Sequence, residues 1–159
     1  MDRFLLYVKV PYPAAENELS ILRLVRSETV GTQSPDPEPL TQAAIAAARA
    51  EVNAVHVAEA AEQYLVDLVI ASREPQRYGD DLATWIHVGA SPRGTIALDA
   101  AARARAWLCG NDFVSPEDVQ AVAPACLAHR VHLSYEAEAA GLSREDVVDA
   151  ILQRVAVAS

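Results

Sequence analysis

Arg93 is the side chain whose type and position best suit anion chemistry in this sequence. It follows Ser91 and Pro92, which mark a helix start because Ser caps helices and Pro suits the first helical position. The dipole at that end of a helix disfavours a cation by a few tenths to ~1 kcal/mol. Free N–H groups at a helix N-terminus, together with an arginine, form an anion site.

Two neighbouring features bear on this interpretation. Gly89 and Gly94 flank the motif, and we expect them to keep the approach to the anion site open. The spacing alone fits two interpretations equally well: an anion site, or an ordinary arginine that is solvated or paired with an acid such as Asp118.

Other kinds of site lack a matching pattern. A phosphate-cradling loop combines glycines with Lys and Ser or Thr, and the only lysine, Lys9, lies in a short apolar run. No apolar strand ends in an Asp-Glu pair that would hold Mg²⁺. His129 and His132 straddle a helix end without further ligands at zinc spacing, so capping or packing is expected and no metal. Ser115 and Ser143 are explained as helix caps, which leaves no serine nucleophile.

Composition excludes further classes of function. The 159 residues carry a net charge of −9 and pI ≈ 4.8, and nothing clusters the basic residues as a nucleic-acid binder requires. No run of about 18 apolar residues predicts a membrane span, and no leader peptide is evident. We therefore expect a cytoplasmic protein with Cys109 and Cys126 as core thiols.

The first half of the chain predicts one strand and two helices. Residues 4–10 (FLLYVKV) form a β-prone apolar run that predicts a buried strand, although no second strand pattern follows it. A helix is predicted over residues 13–28, a Pro-rich polar loop over 29–40 and a second helix over 41–53. An extended link at residues 55–57 follows.

Helices dominate the second half. A helix is predicted over residues 59–74, an irregular stretch over 75–90 and a helix from Ser91 to Cys109. The expected inner face of that last helix consists of small or apolar residues: Ala97, Ala100, Ala101, Ala104 and Leu108.

Two helix starts carry complete capping signals. Ser115, Pro116 and Asp118 form a capping box with proline at the first position, and Val114 and Val119 suit a hydrophobic staple. The same capping box recurs around Ser143. His129 and Arg130 are expected as cations at the end of the helix that begins at Pro116, where they favour the dipole. The predicted fold is mainly α: a helical bundle with one short N-terminal β-strand.

Several segments in order resemble MoxR-type AAA+ ATPases across nearly the whole chain. Residues 89–94 (GASPRG) resemble the sensor-2 motif of that family. The other matching segments are residues 2–5 (DRFL), 12–13, 18–19, 64–69 (YLVDLV), 72–73, 101–104 (AARA), 113–119 (FVSPEDV) and 127–131 (LAHRV).

The resemblance implies a role for each matching arginine. In that family, ATP with Mg²⁺ lies between an α/β core domain and a helical lid, in ring-shaped homo-oligomers such as hexamers. Ser91, Pro92 and Arg93 would contact the nucleotide, with Arg93 as sensor 2 reaching the γ-phosphate of its own subunit. Arg3 would be the arginine finger that enters the neighbouring subunit's site. Kinship also implies chaperone-like remodelling and a von Willebrand factor A domain protein as a partner.

The resemblance also implies a division of the chain. Residues 1–12 would be the last strand of the core, residues 13–40 a connecting helix and loop, and residues 41–159 the helical lid. The phosphate-binding loop, the Mg²⁺-binding carboxylates and the first sensor are absent from this sequence. We therefore expect a C-terminal lid fragment that binds no nucleotide tightly alone and is inactive alone. The alternative is a stand-alone helical interaction module without nucleotide dependence.

Overall fold

The computed structural model describes residues 2–29 and 38–157, which are mainly helical, as predicted. The predicted loop over 29–40 lies largely outside the described residues. The helices are α1 (Ala15–Thr29), α2 (Gln42–Ala54), α3 (Glu59–Arg73), α4 (Asp80–Trp85), α5 (Pro92–Leu108), α6 (Pro116–Leu127), α7 (Tyr135–Ala139) and α8 (Arg144–Arg154). The strands are β1 (Ile86–Val88) and β2 (His132–Leu133).

The chain divides into two compact units. One is Val8–Ala46, which contains α1 and the start of α2. The other, here called the body, combines the residues up to Tyr7 with the chain from Ala47 onward. The predicted domain boundaries remain a prediction.

A single apolar core holds the body together. α5 packs chiefly against α6, and α3 and α8 complete the layer. Fully buried side chains include Leu68 of α3, Leu98 of α5, Leu127 of α6 and Ile151 of α8. In α3, for example, the buried residues Ala61, Leu65 and Leu68 recur every three or four positions. This spacing places them on the one face that packs against neighbouring helices.

The capping signals mark helix starts correctly. At α6 the Ser115 hydroxyl accepts from the Asp118 amide, and the Asp118 carboxylate accepts from the Ser115 amide. At α8, Ser143 and Asp146 form the same reciprocal pair. Each box satisfies two N–H groups that a helix start otherwise leaves without partners.

The stretch over residues 75–90, predicted as irregular, contains regular structure. A 3₁₀ turn at Pro75–Arg77 leads into α4, and β1 follows directly. β1 pairs antiparallel with β2 through Ile86 opposite Leu133. These elements are too short to show a period in the sequence, and the strand pair joins residues distant in the chain.

The predicted strand over residues 4–10 is not formed. None of these residues lies in a strand, and most of their apolar side chains are exposed. The Tyr7 amide instead donates to the Ala125 carbonyl in α6 at 2.9 Å. A strand obtains its backbone hydrogen bonds from a second strand, and among the described residues β1 and β2 pair only with each other.

Two further predictions were only partly correct. On α5, Ala97 and Ala101 are buried as predicted, but Leu108 is 76 % exposed. Cys126 is a core thiol whose Sγ lies 3.6 Å from the Ala97 carbonyl oxygen, and burial raises its pKa to about 11. Cys109 is exposed, because it lies at the end of α5 beyond the last turn that packs on the core.

Candidate functional site

The turn before α5 is fixed against the end of α3. Gly89 passes so close to α3 that a Cβ atom on it would lie 2.3 Å from the Ser72 carbonyl oxygen. The Ala90 amide donates to the Ser72 hydroxyl at 2.9 Å, and Arg73 Nε donates to the Ala90 carbonyl at 2.6 Å. Gly89 thus permits close packing of the turn, and Gly94 is buried in the body. Gly89 also lines a cavity together with Asp2 and Ser91, so the expectation that it keeps an anion's approach open stays a prediction.

At the start of α5, a carboxylate is bound by the residues predicted to bind an anion. The Ser91 hydroxyl lies 3.0 and 2.9 Å from the two carboxylate oxygens of Asp2, and it accepts from the Arg93 amide. Arg93 Nη1 lies 3.3 Å from Asp2 Oδ2. Asp118, the partner considered for Arg93, instead binds Arg105.

The Asp2 carboxyl is ionised at neutral pH. Partial burial by itself would raise the pKa of Asp2. Hydrogen bonds from Ser91 and Arg93 and the positive charge of Arg130 outweigh this burial, so the pKa of Asp2 lies below its usual value. The N-terminus of α5 therefore holds a negative charge, as the positive end of the helix dipole favours.

Arg3 and Arg93 line the same small cavity, which has a volume of about 160 Å³. Both side chains are exposed, and Asp2 and Arg130 also line the cavity. The resemblance assigned Arg3 and Arg93 to the nucleotide sites of two different subunits. The structure brings them together at one end of the body, while Pro92 is exposed in the first turn of α5.

Sequence reasoning treated His129 and Arg130 as cations at a helix end, yet both are buried. α6 ends at Leu127, and the two side chains turn inward toward the N-terminal residues. His129 Nε2 lies 3.2 Å from the Phe4 carbonyl oxygen, and burial lowers the pKa of His129. The sequence signal that could have indicated burial of His129 and Arg130 is their apolar neighbours, such as Val131.

The arrangement fits one phosphate group better than a metal ion. A phosphate would present to the Ser91 hydroxyl and to Arg93 the same kind of anionic oxygen that Asp2 presents. In the part of the chain that the structure describes, no group of three or more His, Cys, Asp or Glu side chains is placed to hold a metal ion. Within the same residues, no helix is long and apolar enough to cross a membrane.

Comparison with known proteins identifies relatives of this chain. The family model described as the AAA lid domain matches residues 81–151. The chain is 36 % identical to Chaperone MoxR1 of Mycobacterium tuberculosis over 98 % of its own length and 41 % of that protein. It is 33 % identical to the YeaC protein of Bacillus subtilis, over 99 % of the chain and 46 % of the relative. With Protein MoxR of Paracoccus denitrificans the identity is 44 % over half of the chain.

A solved structure extends the match to the fold. A crystal structure described as that of an ATPase from Cytophaga hutchinsonii superposes with a TM-score of 0.92 at 34 % identity. The match covers 99 % of this chain and 48 % of that one. The class defined by the fold and by the matching family model is the AAA+ lid. More narrowly, the chain belongs to the MoxR family of AAA+ ATPases, and it spans less than half the length of the two relatives it matches end to end.

Proposed function

We propose that this chain serves as the lid portion of a MoxR-type, ATP-driven remodelling ATPase. The phosphate-binding loop and Mg²⁺-binding carboxylates would come from an α/β core. We call the combination of this chain and that core the assembled ATPase. It would be a ring homo-oligomer, with six subunits as the expected number, working in the cytoplasm. A von Willebrand factor A domain protein is a candidate partner.

The observation that supports this proposal best is the Asp2 carboxylate bound at the start of α5. Ser91 and Arg93 hold its oxygens at 2.9–3.3 Å, at a helix end that favours negative charge. The γ-phosphate of ATP would take the place of this carboxylate in the assembled ATPase. The Arg93 side chain is 57 % exposed, so its own pairing with Asp2 contributes little, and Arg93 can exchange that carboxylate for phosphate at small cost.

Each arginine would act on charge that develops at the γ-phosphate. ATP supplies the phosphoryl group and the leaving ADP. Arg93 would hold the phosphate within its own subunit, and Arg3 would reach the site of the neighbouring subunit. A planar, permanently charged guanidinium suits both tasks, because it binds phosphate oxygens in pairs.

Substitution of Arg93 tests the sensor-2 role. We expect Arg93→Ala to reduce ATP turnover by the assembled ATPase about 100-fold, since it removes a charged donor from the transition state. Arg77→Ala is the matched control, because Arg77 is also an exposed arginine paired with an acid, Glu74, at 2.8 Å. Normal turnover by Arg93→Ala would contradict the sensor-2 role. If both variants bind a partner protein with the same affinity whether or not nucleotide is present, the stand-alone interaction module is favoured.

Mixing two inactive variants tests whether Arg3 acts between subunits. One subunit type carries Arg3→Ala and the other carries Arg93→Ala. A site then works where an Arg3→Ala subunit supplies Arg93 and its neighbour supplies Arg3. In rings mixed one to one, about a quarter of the sites should recover if sites act independently. If both arginines act in one site from one subunit, no mixture recovers activity.

A further inference from the structure

Arg130 is a buried arginine whose hydrogen bonds go mainly to backbone carbonyls. Only 2 % of its side chain is exposed. One terminal nitrogen donates to the carbonyls of Asp2, at 3.3 Å, and Phe4. The other donates to the carbonyls of Leu5, at 3.4 Å, and Cys126. The guanidinium therefore joins the end of α6 to the N-terminal residues.

The carbonyls bound by Arg130 lie on both sides of Arg3. Asp2 precedes Arg3 and Phe4 follows it, and both are bound by the same nitrogen. Arg130 Nε also lies 3.3 Å from the Asp2 carboxylate, which contacts Arg93 on its other side. The backbone at Arg3 cannot shift without breaking contacts to a buried charge, and such a loss is costly.

We propose that Arg130 is the positioning residue for Arg3. It fixes the backbone from Asp2 to Leu5, so that the exposed Arg3 side chain starts from one defined place on the body. The positioning of the segment rests on the geometry above, whereas its catalytic consequence rests on the proposed role of Arg3.

A second contact gives the segment a measurable marker. The Tyr7 amide donates to the Ala125 carbonyl at 2.9 Å, so its hydrogen exchange reports whether the segment is docked on α6. We expect Arg130→Lys in the full chain to speed exchange of the Tyr7 amide about 10-fold, with the amides of α3 and α5 unchanged. Lysine keeps the charge but lacks the planar fork of donors.

Two further variants make this exchange experiment decisive. Arg130→Met removes the charge as well and should speed Tyr7 exchange more than Arg130→Lys does. If Arg130→Met fails to fold, Arg130→Lys decides. Arg105→Lys is the control, because the ion pair of Arg105 is with Asp118 at the start of α6 and not with the N-terminal segment. Unchanged Tyr7 exchange in Arg130→Lys, or equal acceleration throughout the body, would overturn the proposal.

Kinetics of the assembled ATPase separate positioning from general support of the fold. Arg130→Lys should lower kcat about 10-fold and leave KM for ATP within about twofold, because Arg3 acts on the transition state. Adding Arg130→Lys to Arg3→Ala should cost nothing more, since the residue it positions is already gone. Additive losses would overturn the proposal. Normal turnover by Arg3→Ala would instead remove the proposed role of Arg3, while Tyr7 exchange would still report on positioning.

Discussion

The helices of the body and those before it differ in what they bury. α3, α5, α6 and α8 each bury several apolar side chains in one core. α1 buries none, although it carries five large aliphatic residues that are each about half exposed: Leu19, Ile21, Leu22, Leu24 and Val25. α2, which begins before the body and ends within it, also buries no residue.

This difference shows which part of the chain is self-sufficient. A helix of about 15 residues is marginal in water unless tertiary packing supports it. The body supplies that packing for its own helices, and α1 does not receive it from the described residues. Contiguous apolar surface of this kind is typical of a protein interface. If this chain is the lid proposed above, we expect the α/β core of the assembled ATPase to dock against the aliphatic residues of α1.

Truncating one leucine in each region should give the largest contrast. Leu68→Ala removes a fully buried side chain from α3, and we expect it to lower the free energy of unfolding by about 2–5 kcal/mol. Leu22→Ala on α1 should change it by less than about 0.5 kcal/mol. Urea unfolding of the full chain, followed by circular dichroism, measures both. A large loss from Leu22→Ala would mean that α1 packs more tightly than described.

The two capping boxes should differ by a smaller amount. Asp118 is buried and also binds Arg105, so Asp118→Asn should cost about 1–3 kcal/mol. Asp146 makes the same box with Ser143 at the exposed start of α8, so Asp146→Asn should cost less than about 1 kcal/mol. Equal losses of unfolding free energy in the same assay would show that burial of Asp118 adds nothing to the stability that its capping box provides.

Asp118 should also make the body sensitive to acid. Burial alone would raise its pKa, but hydrogen bonds from Ser115 and Arg105 outweigh burial and place it below the usual value. Its contribution is therefore complete above the unfolded pKa of about 3.9 and is lost as pH falls below that value. Unfolding between pH 3 and 6 measures this loss, and Asp118→Asn should show a weaker dependence on pH.

The smallest expected effect concerns the two thiols. Burial raises the pKa of Cys126 to about 11, whereas Cys109 is exposed. Because the thiolate is the reactive form, a thiol reagent at neutral pH should modify Cys109 quickly and Cys126 only on unfolding. Labelling of Cys109→Ser isolates Cys126. Rapid labelling of that variant while it stays folded would contradict the burial of Cys126.

Local sequence signals predicted the helix starts whose stabilising groups lie within a few residues of one another. The boxes at Ser115 and Ser143 marked helix starts because each satisfies helix N–H groups by itself. Pro92 marked another start because proline has no N–H that needs a partner and its φ already suits a helix. The sheet of β1 and β2 was missed, since it depends on residues about 45 positions apart that meet only in three dimensions.

The site was predictable only in part. Ser91 and Arg93 were identified from their positions at a helix start. Asp2, which binds both, was not, because its contacts span about 90 positions of the sequence. Arg130 was misjudged for a related reason: a cation after a helix is usually solvated, and its burial depends on carbonyls from the distant N-terminus.

Amide exchange of α1, with and without the α/β core, tests most directly whether this chain works as a lid docked on that core. In the full chain alone, the α1 amides should exchange nearly as fast as in an unfolded chain, while the amides of α3 and α5 stay protected. In the assembled ATPase, protection of α1 should rise at least about 100-fold. Strong protection of α1 in a proven monomer, unchanged by the core, would contradict the proposed docking surface.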